Sequence, residues 1–171
     1  GQCNVPVDLT NAVAIAAGTS TCYALRSDGT VVVWSNGGRP PHGLSDVVAI
    51  AAGYYHFLAL RADGTVVGWE LDGSTSDLPS GLTDVVAIAA GQYHSLALKA
   101  DGTVVAWGVN SSGQCNVPAE LTDVVAIAAG LQHSLALKSD GTVAAWGQNV
   151  SGECNVPANL TDVASISAGG S

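Results

Sequence analysis

The segment from Val124 to Asp162 reads V-V-A-I-A-A-G-L-Q-H-S-L-A-L-K-S-D-G-T-V-A-A-W-G-Q-N-V-S-G-E-C-N-V-P-A-N-L-T-D, and closely similar text lies upstream of it. Three markers keep one register along the chain: an anchor glycine, an Asp-Gly pair and a tryptophan. The anchor glycines are Gly18, Gly53, Gly91, Gly130 and Gly169, which lie 35, 38, 39 and 39 positions apart. Self-similarity with a period of this length indicates tandem structural repeats.

We therefore predict one repeat array over residues 1–171. Its units are residues 12–46, 47–84, 85–123 and 124–162, with residues 163–171 as a partial unit and residues 1–11 as the tail of a preceding unit. The array thus has four full repeats and part of a fifth.

Each unit contains three short apolar runs of strand length, for example Val85 to Ala90, His94 to Lys99 and Thr103 to Trp107. The Asp101-Gly102 pair between the second and third runs predicts a two-residue hairpin turn of the primed type. Connections this short leave no room for a crossover helix, so the strands are expected to be antiparallel. Both alternating sets of the first run are apolar, so we expect neighbouring sheets to cover both of its faces. The prediction is an all-β, β-propeller-type array of antiparallel blades, with a solenoid of stacked sheets as the competing geometry.

The third repeat supports a resemblance to a known family. From Ala89 to Gln114 the sequence follows A-A-G-x-x-H-S-L-A-L-K-x-D-G-T-V-x-x-W-G-x-N-x-x-G-Q, which resembles the repeat of the regulator of chromosome condensation family, particularly its bacterial tandem versions. The resemblance implies four-stranded propeller blades, and members of that family typically have seven of them. Four full repeats and part of a fifth cannot supply seven blades. An incomplete propeller from a longer array, a ring or fibre completed by several copies, and open stacking all remain possible.

Composition narrows the classes of function. The chain has 14 acidic and five basic residues and a formal net charge of −9, so it would repel a phosphate backbone, and we predict no nucleic-acid binding. Polar residues and glycine interrupt every apolar run before the roughly 18 residues that a membrane-spanning helix needs, so we predict no membrane insertion. Residues 166–171 show no polar cap of the kind that a terminal repeat needs, which favours contact with more protein.

The repeated histidines and tryptophans are predicted to be structural. His56, His94 and His133 share one repeat position, and facing sheets lie about 10 Å apart, whereas zinc ligands must all lie about 2 Å from one ion. The tryptophans are Trp34, Trp69, Trp107 and Trp146, one per unit. The chain has no nucleophile elbow, zinc-protease motif, phosphate-binding loop or paired carboxylates. We therefore predict no catalytic residue, no metal site and no cofactor.

The cysteines leave two interpretations open. Cys3, Cys115 and Cys154 share one repeat position, and the chain has no C-x-x-C spacing. Equivalent sites on successive blades should lie farther apart than the roughly 7 Å that a disulfide spans. They are either free thiols or the sites of intermolecular disulfides.

Function is expected where the repetition fails, because binding groups are usually placed on loops that a rigid scaffold positions. Residues 35–45 and 70–81 replace the regular loop text. With nearby tyrosines they give the candidate protein-contact residues Arg39, His42, Tyr54, Tyr55, Glu70, Asp72, Asp77 and Tyr93. We predict a noncatalytic protein-interaction scaffold whose partners are proteins, including copies of itself. The alternatives are a self-assembling structural protein (a ring, fibre or surface layer) and an inhibitor-like binder of a bacterial enzyme.

Overall fold

The computed structural model describes residues 2–35 and 38–169 of the chain. Asn36 and Gly37 of the first irregular loop and the last two residues of the partial repeat lie outside the described residues. The described residues contain no helix and form four antiparallel sheets of three strands each. The predicted all-β array of antiparallel, propeller-type blades is therefore confirmed.

Each sheet is one blade, and its strands pair in sequence order. The first blade consists of β1 (Ala12–Ala17), β2 (Thr21–Arg26) and β3 (Val31–Ser35). The second consists of β4 (Val47–Ala52), β5 (His56–Arg61) and β6 (Val66–Glu70). The third consists of β7 (Val85–Ala90), β8 (His94–Lys99) and β9 (Val104–Gly108). The fourth consists of β10 (Val124–Ala129), β11 (His133–Lys138) and β12 (Val143–Gly147).

The blades have three strands where the family resemblance implied four. In the third blade the chain turns after β9, because Gly113 has a φ of 78° and Asn116 N donates to Gly113 O at 3.0 Å. A further turn follows at Pro118, whose carbonyl accepts a hydrogen bond from Leu121 N at 3.0 Å. A proline cannot donate to a strand ladder, so this loop is poorly suited to a fourth strand.

The hairpin between the second and third strands is not the predicted two-residue primed turn. Gly102 has a φ of 81°, but Asp101 is not among the residues with positive φ. Gly102 N donates to Lys99 O at 3.0 Å, and Lys99 N donates to Thr103 O at 2.9 Å, which closes a three-residue loop with a left-handed glycine at its end. The Asp101 carboxylate favours this form because it accepts hydrogen bonds from Thr103 N at 3.0 Å and Thr103 Oγ1 at 2.6 Å.

A bulge interrupts the first strand of every blade. In the fourth blade Val124 pairs with Lys138 and Ala126 with Leu137, so the register shifts across Val125. Val125 is 55% exposed, and Val48 and Val86 are each 54% exposed at the same repeat position. The expectation that neighbours cover both faces of this strand is wrong at that position, because the bulge leaves the residue unpaired and turns its side chain outward.

The chain divides into two compact units, residues 1–84 and 85–171, with two blades each. In the first unit the core contains Tyr23, Phe57 and Trp69, whose ring centroids lie 4.6, 5.7 and 5.9 Å apart. In the second unit β10 packs on β7 and β8. Its core contains the buried residues Leu96, Leu98, Val124, Ala136 and Trp146.

Candidate protein-contact surface

A buried backbone carbonyl joins the two blades of the second unit. Gln114 O, in the loop after the third blade, accepts hydrogen bonds from Ser134 Oγ and Trp146 Nε1 of the fourth blade, each at 2.9 Å. His94 Nε2 of the third blade lies 3.0 Å from the same serine oxygen. We call these four residues the carbonyl junction of the second unit. Buried polar groups need such partners, and here they connect adjacent blades.

The histidine and serine of this junction are at the distance of a catalytic base and nucleophile, but their hydrogen bonding is structural. The serine hydroxyl donates its only hydrogen to Gln114 O, so His94 Nε2 must donate to Ser134 Oγ rather than accept from it. His94 is 1% exposed and Ser134 is 0% exposed. No substrate can reach the serine in this arrangement.

The anchor glycines make room for the repeated histidines. A Cβ atom on Gly91 would lie 2.2 Å from His94 Cε1 and 2.5 Å from Gly130 O. A Cβ atom on Gly130 would lie 2.2 Å from His133 Cε1. The G-x-x-H motif therefore places the imidazole of the histidine directly over the glycine, where a side chain would clash with the ring. His56 occupies the same repeat position at the start of β5 and is partly buried.

The first unit has a corresponding carbonyl junction, in which a tyrosine hydroxyl takes the place of the serine hydroxyl. Gly38 O accepts hydrogen bonds from Tyr23 Oη and from Trp69 Nε1, the latter at 2.9 Å. Burial raises the pKa of Tyr23, so the phenol stays protonated and remains a donor. At the start of the same unit, Trp34 Nε1 donates to Gln2 O at 2.9 Å. Trp107 is partly buried on β9, where it pairs with Ser95.

The irregular loop that begins at Glu70 forms a small turn of its own. Asp72 Oδ1 accepts hydrogen bonds from Ser74 N at 2.9 Å and Ser74 Oγ at 2.6 Å, and Gly73 has a φ of 87°. Glu70 N donates to Ser74 O at 2.8 Å, and the Glu70 carboxylate accepts a hydrogen bond from Ser76 Oγ. The hydrogen bonds from Ser74 lower the pKa of Asp72, so this exposed side chain is an anion at neutral pH.

Tyrosines and carboxylates meet beside this turn. Tyr55, Glu70, Leu71 and Asp72 line an open cavity of about 550 Å³. Leu71 N donates to Tyr55 O at 2.8 Å, which fixes the two loops to each other. The rings of Tyr54 and Tyr55 are 4.5 Å apart and nearly perpendicular at 77°. We call these five residues the Tyr55 surface.

Three of the other predicted contact residues lie outside this cavity. Arg39, His42 and Asp77 are exposed and are not part of its lining among the described residues. Tyr93 belongs to the second unit and is 40% exposed. Its carbonyl accepts a hydrogen bond from Val109 N at 2.8 Å, as Tyr55 O does from Leu71 N. Tyr93 therefore occupies the position of Tyr55 without the neighbouring carboxylates.

Sequence reasoning missed several residues of these sites. Leu71 lines the cavity, and Tyr23, Ser134 and Gln114 form the carbonyl junctions. A signal existed for Tyr23, because a tyrosine stands where the other repeats have leucine. The role of Gln114 could not be predicted from its side chain, because the hydrogen-bond acceptor is its backbone carbonyl.

The cysteines are not paired with one another in the described chain. Cys3 is exposed, whereas Cys115 and Cys154 are partly buried. Cys115 Sγ donates to Val109 O at 3.4 Å, and Cys154 Sγ donates to Gln148 O at 3.2 Å. Burial raises the pKa of both thiols, and for Cys154 the nearby Glu153 charge raises it further. Intermolecular disulfides at these positions stay a prediction.

Neither a metal cluster nor a membrane-spanning helix is found in the described part of the chain. Within residues 2–35 and 38–169, no group of three or more His, Cys, Asp or Glu side chains is placed to hold a metal ion. The same residues form no helix that is long and apolar enough to cross a bilayer.

The sheets and their carbonyl junctions define a propeller-type array of blades, and comparison with known proteins identifies the repeat. The family model for the regulator of chromosome condensation (RCC1) repeat matches residues 47–69, 85–114 and 124–153. The chain thus contains RCC1-type repeats in three places. A search of curated proteins found no match.

Solved structures share the fold. Yeast RCC1 (Prp20), crystallised bound to Kap60, superposes with a TM-score of 0.73 at 22% identity over 93% of this chain and 49% of that one. Prp20p from Saccharomyces cerevisiae, studied for its binding to Gsp1p and histones, gives 0.73 at 21% identity over 95% and 55%. The ectodomain of the Physcomitrella patens receptor kinase CR4 gives 0.77 at 24% identity over 92% and 46%. The chain thus spans about half the length of these proteins.

Proposed function

We propose that the chain is a noncatalytic protein-interaction scaffold and that the Tyr55 surface binds a partner segment with basic side chains. The observation that carries this proposal is the cavity lined by an exposed tyrosine, a leucine and two carboxylates. Tyrosine is common at protein interfaces because its ring has an apolar body and a polar end. The carboxylates of Glu70 and Asp72 would pair with lysine or arginine, and an arginine could also stack on the ring of Tyr55.

The rigidity of the surface supports the same proposal. Tyr55 is joined to Leu71 by a backbone hydrogen bond, and Asp72 is held by Ser74. A partner would therefore meet side chains that are already positioned, which reduces the ordering cost of binding. The net charge of −9 would speed the approach of a basic partner, and that effect should weaken with added salt. Prp20p was studied for binding to other proteins, which fits an interaction role for such blades.

A random peptide library selected on the immobilised chain tests the proposal without a known partner. We expect the enriched peptides to combine lysine or arginine with an apolar residue and to bind less tightly as salt rises. The matched variant is Glu70→Gln with Asp72→Asn, which keeps the side-chain oxygens that accept hydrogen bonds but removes both charges. Enriched peptides that are neutral or acidic, or that bind this variant as well as the native chain, would refute the proposal.

A second variant separates the Tyr55 surface from its counterpart in the second unit. Tyr55→Ala should abolish binding of the selected peptides, whereas Tyr93→Ala should leave it unchanged because no carboxylates accompany that tyrosine. Equal losses in both variants would show that the carboxylates do not decide the binding site.

A further inference from the structure

Two tyrosine rings of the Tyr55 surface form a right-angled corner. Their planes meet at 77° and their centroids lie 4.5 Å apart. The loop that carries them is anchored to the first blade, because Thr19 Oγ1 donates to Tyr54 O at 3.1 Å. It is also anchored to the loop after β6, because Leu71 N donates to Tyr55 O at 2.8 Å. The corner is thus part of a fixed framework within the first unit.

The cavity beside Tyr55 combines apolar walls with negative charge. Tyr55 is 45% exposed, and its side chain lines the cavity. The lining is mostly apolar, and it also includes Leu71, Glu70 and Asp72. The face of an aromatic ring attracts a cation, and neighbouring carboxylates add to that attraction. The cavity therefore suits a ligand group that is positively charged and also has an apolar surface.

Both carboxylates are already engaged as hydrogen-bond acceptors within their own loop. Asp72 Oδ1 accepts from Ser74 N at 2.9 Å and from Ser74 Oγ at 2.6 Å, and Glu70 Oε1 accepts from Ser76 Oγ. One oxygen of each carboxylate thus has a donor, so the pair offers a ligand negative charge more than a full set of acceptors. An unmodified lysine ammonium has three N–H donors and is strongly hydrated. It would lose part of that hydration in a mostly apolar cavity without full replacement.

We propose that the Tyr55 surface recognises the trimethylated ammonium group of a lysine side chain. This inference rests on the proposed function of the same surface and names the modification that the partner segment carries. Three methyl groups replace the N–H donors that the apolar walls cannot satisfy, and they pack on the rings of Tyr54 and Tyr55 and on Leu71. The charges of Glu70 and Asp72 attract the cation without needing a hydrogen bond from it.

Four short peptides, titrated against the isotope-labelled full chain by NMR, test this proposal. They share one sequence, with a central lysine between leucine and alanine residues. The lysine is unmodified, dimethylated, trimethylated or replaced by a neutral analogue that has carbon in place of the nitrogen. We expect the affinity to rise with methylation, and the trimethylated peptide should bind about tenfold more tightly than the unmodified one. The neutral analogue has the shape of trimethyl-lysine without its charge and should bind about tenfold more weakly than the trimethylated peptide.

Substitutions of the two tyrosines locate the preference. The quantity compared is the ratio of the affinities for the trimethylated and the unmodified peptide, because a general loss of folding would weaken both peptides alike. Tyr55→Leu removes the aromatic face but keeps an apolar side chain, so this ratio should fall to about one. Tyr54→Leu should lower the ratio as well, because it removes the second wall of the corner. Tyr55→Phe keeps the aromatic face and is the matched control, which should keep the ratio of the native chain.

The outcomes separate this inference from the proposed function. Equal binding of the unmodified and trimethylated peptides would overturn the inference and leave a surface for ordinary basic segments. A neutral analogue that binds as tightly as the trimethylated peptide, or an unchanged ratio in either leucine variant, would also overturn it. Choline carries the same trimethylammonium group without a peptide, and choline binding as tight as that of the peptide would exclude lysine as the specific ligand. If none of the four peptides binds, the inference is wrong, whereas the library selection still decides the proposed function.

Discussion

Replacing Ser134 by alanine should break the carbonyl junction of the second unit while leaving its shape intact. The hydroxyl accepts from His94 Nε2 at 3.0 Å and donates to Gln114 O at 2.9 Å. Gln114 O keeps its second donor, because Trp146 Nε1 also bonds to it at 2.9 Å. The histidine N–H, in contrast, loses the acceptor that this junction provides in a site with 1% exposure.

The size of the effect follows from that asymmetry. A neutral hydrogen bond contributes about 1 kcal/mol net, and a buried donor left without an acceptor costs about 1–3 kcal/mol. Alanine has no hydroxyl that must be desolvated on folding, and this offsets part of the lost stability. We expect a loss of about 2 kcal/mol in the free energy of unfolding, a sizeable share of the roughly 5–15 kcal/mol that stabilises a typical domain.

Urea unfolding followed by circular dichroism measures this change, and hydrogen exchange of the β11 amides assigns it to the second unit. Ser139→Ala is the matched control, because this serine lies in the exposed turn and the third repeat has alanine at the same position. In a His94→Phe background, Ser134→Ala should cost clearly less, since the stranded donor is gone. A loss below about 0.5 kcal/mol, or equal losses in both backgrounds, would refute the role of this junction.

Gly91→Ala should destabilise the chain by about 3 kcal/mol in the same assay, because its Cβ would lie 2.2 Å from the His94 ring, whereas Gly169→Ala, with nothing within 4 Å, should be neutral. The turn carboxylates of Asp28, Asp63, Asp101 and Asp140 have pKa values lowered below 3.8 by threonine hydrogen bonds. Their contribution to stability should be complete above that pH and be lost as the pH falls through the lowered values, so replacing all four by asparagine should flatten acid unfolding below pH 4. Alkylation at pH 8, read by peptide mass spectrometry, should modify exposed Cys3 before Cys115 and Cys154, whose raised pKa values keep the thiolate fraction low.

The strands and their antiparallel order could be predicted because they depend on the local sequence. The apolar runs have strand length, and the Asp-Gly pairs fix where each hairpin turns. The predicted type of turn was wrong. The Asp101 carboxylate accepts a hydrogen bond from Thr103 N, and Asp101 does not adopt the positive φ that a primed turn requires. The exposure of Val125 could not be predicted from alternation alone, since a bulge changes which side each later residue faces.

The carbonyl junctions could not be predicted because they join residues far apart in sequence. His94 and Ser134 lie 40 positions apart and meet only when two blades pack. Nothing in either residue marks the contact, and the acceptor that Ser134 shares with Trp146 is a backbone atom. The Tyr55 surface was partly predictable, since the loops that break the repeat stood out. The sequence could not predict that Arg39, His42 and Asp77 lie outside the cavity, because their positions depend on the path that each loop takes.

The two carbonyl junctions also explain where the loops are able to vary. The first irregular loop abandons the G-Q-C-N-V-P text, yet Gly38 still supplies the acceptor for Trp69. A side chain is excluded there, because a Cβ on Gly38 would lie 2.9 Å from the Phe57 ring and the residue has a φ of 66°. The exposed residues Arg39 and His42 take no part in the junction, so they can change without loosening the blades, whereas Leu44 packs on the core. In the first irregular loop, the predicted contact residues Arg39 and His42 therefore follow the acceptor glycine and lie outside the junction.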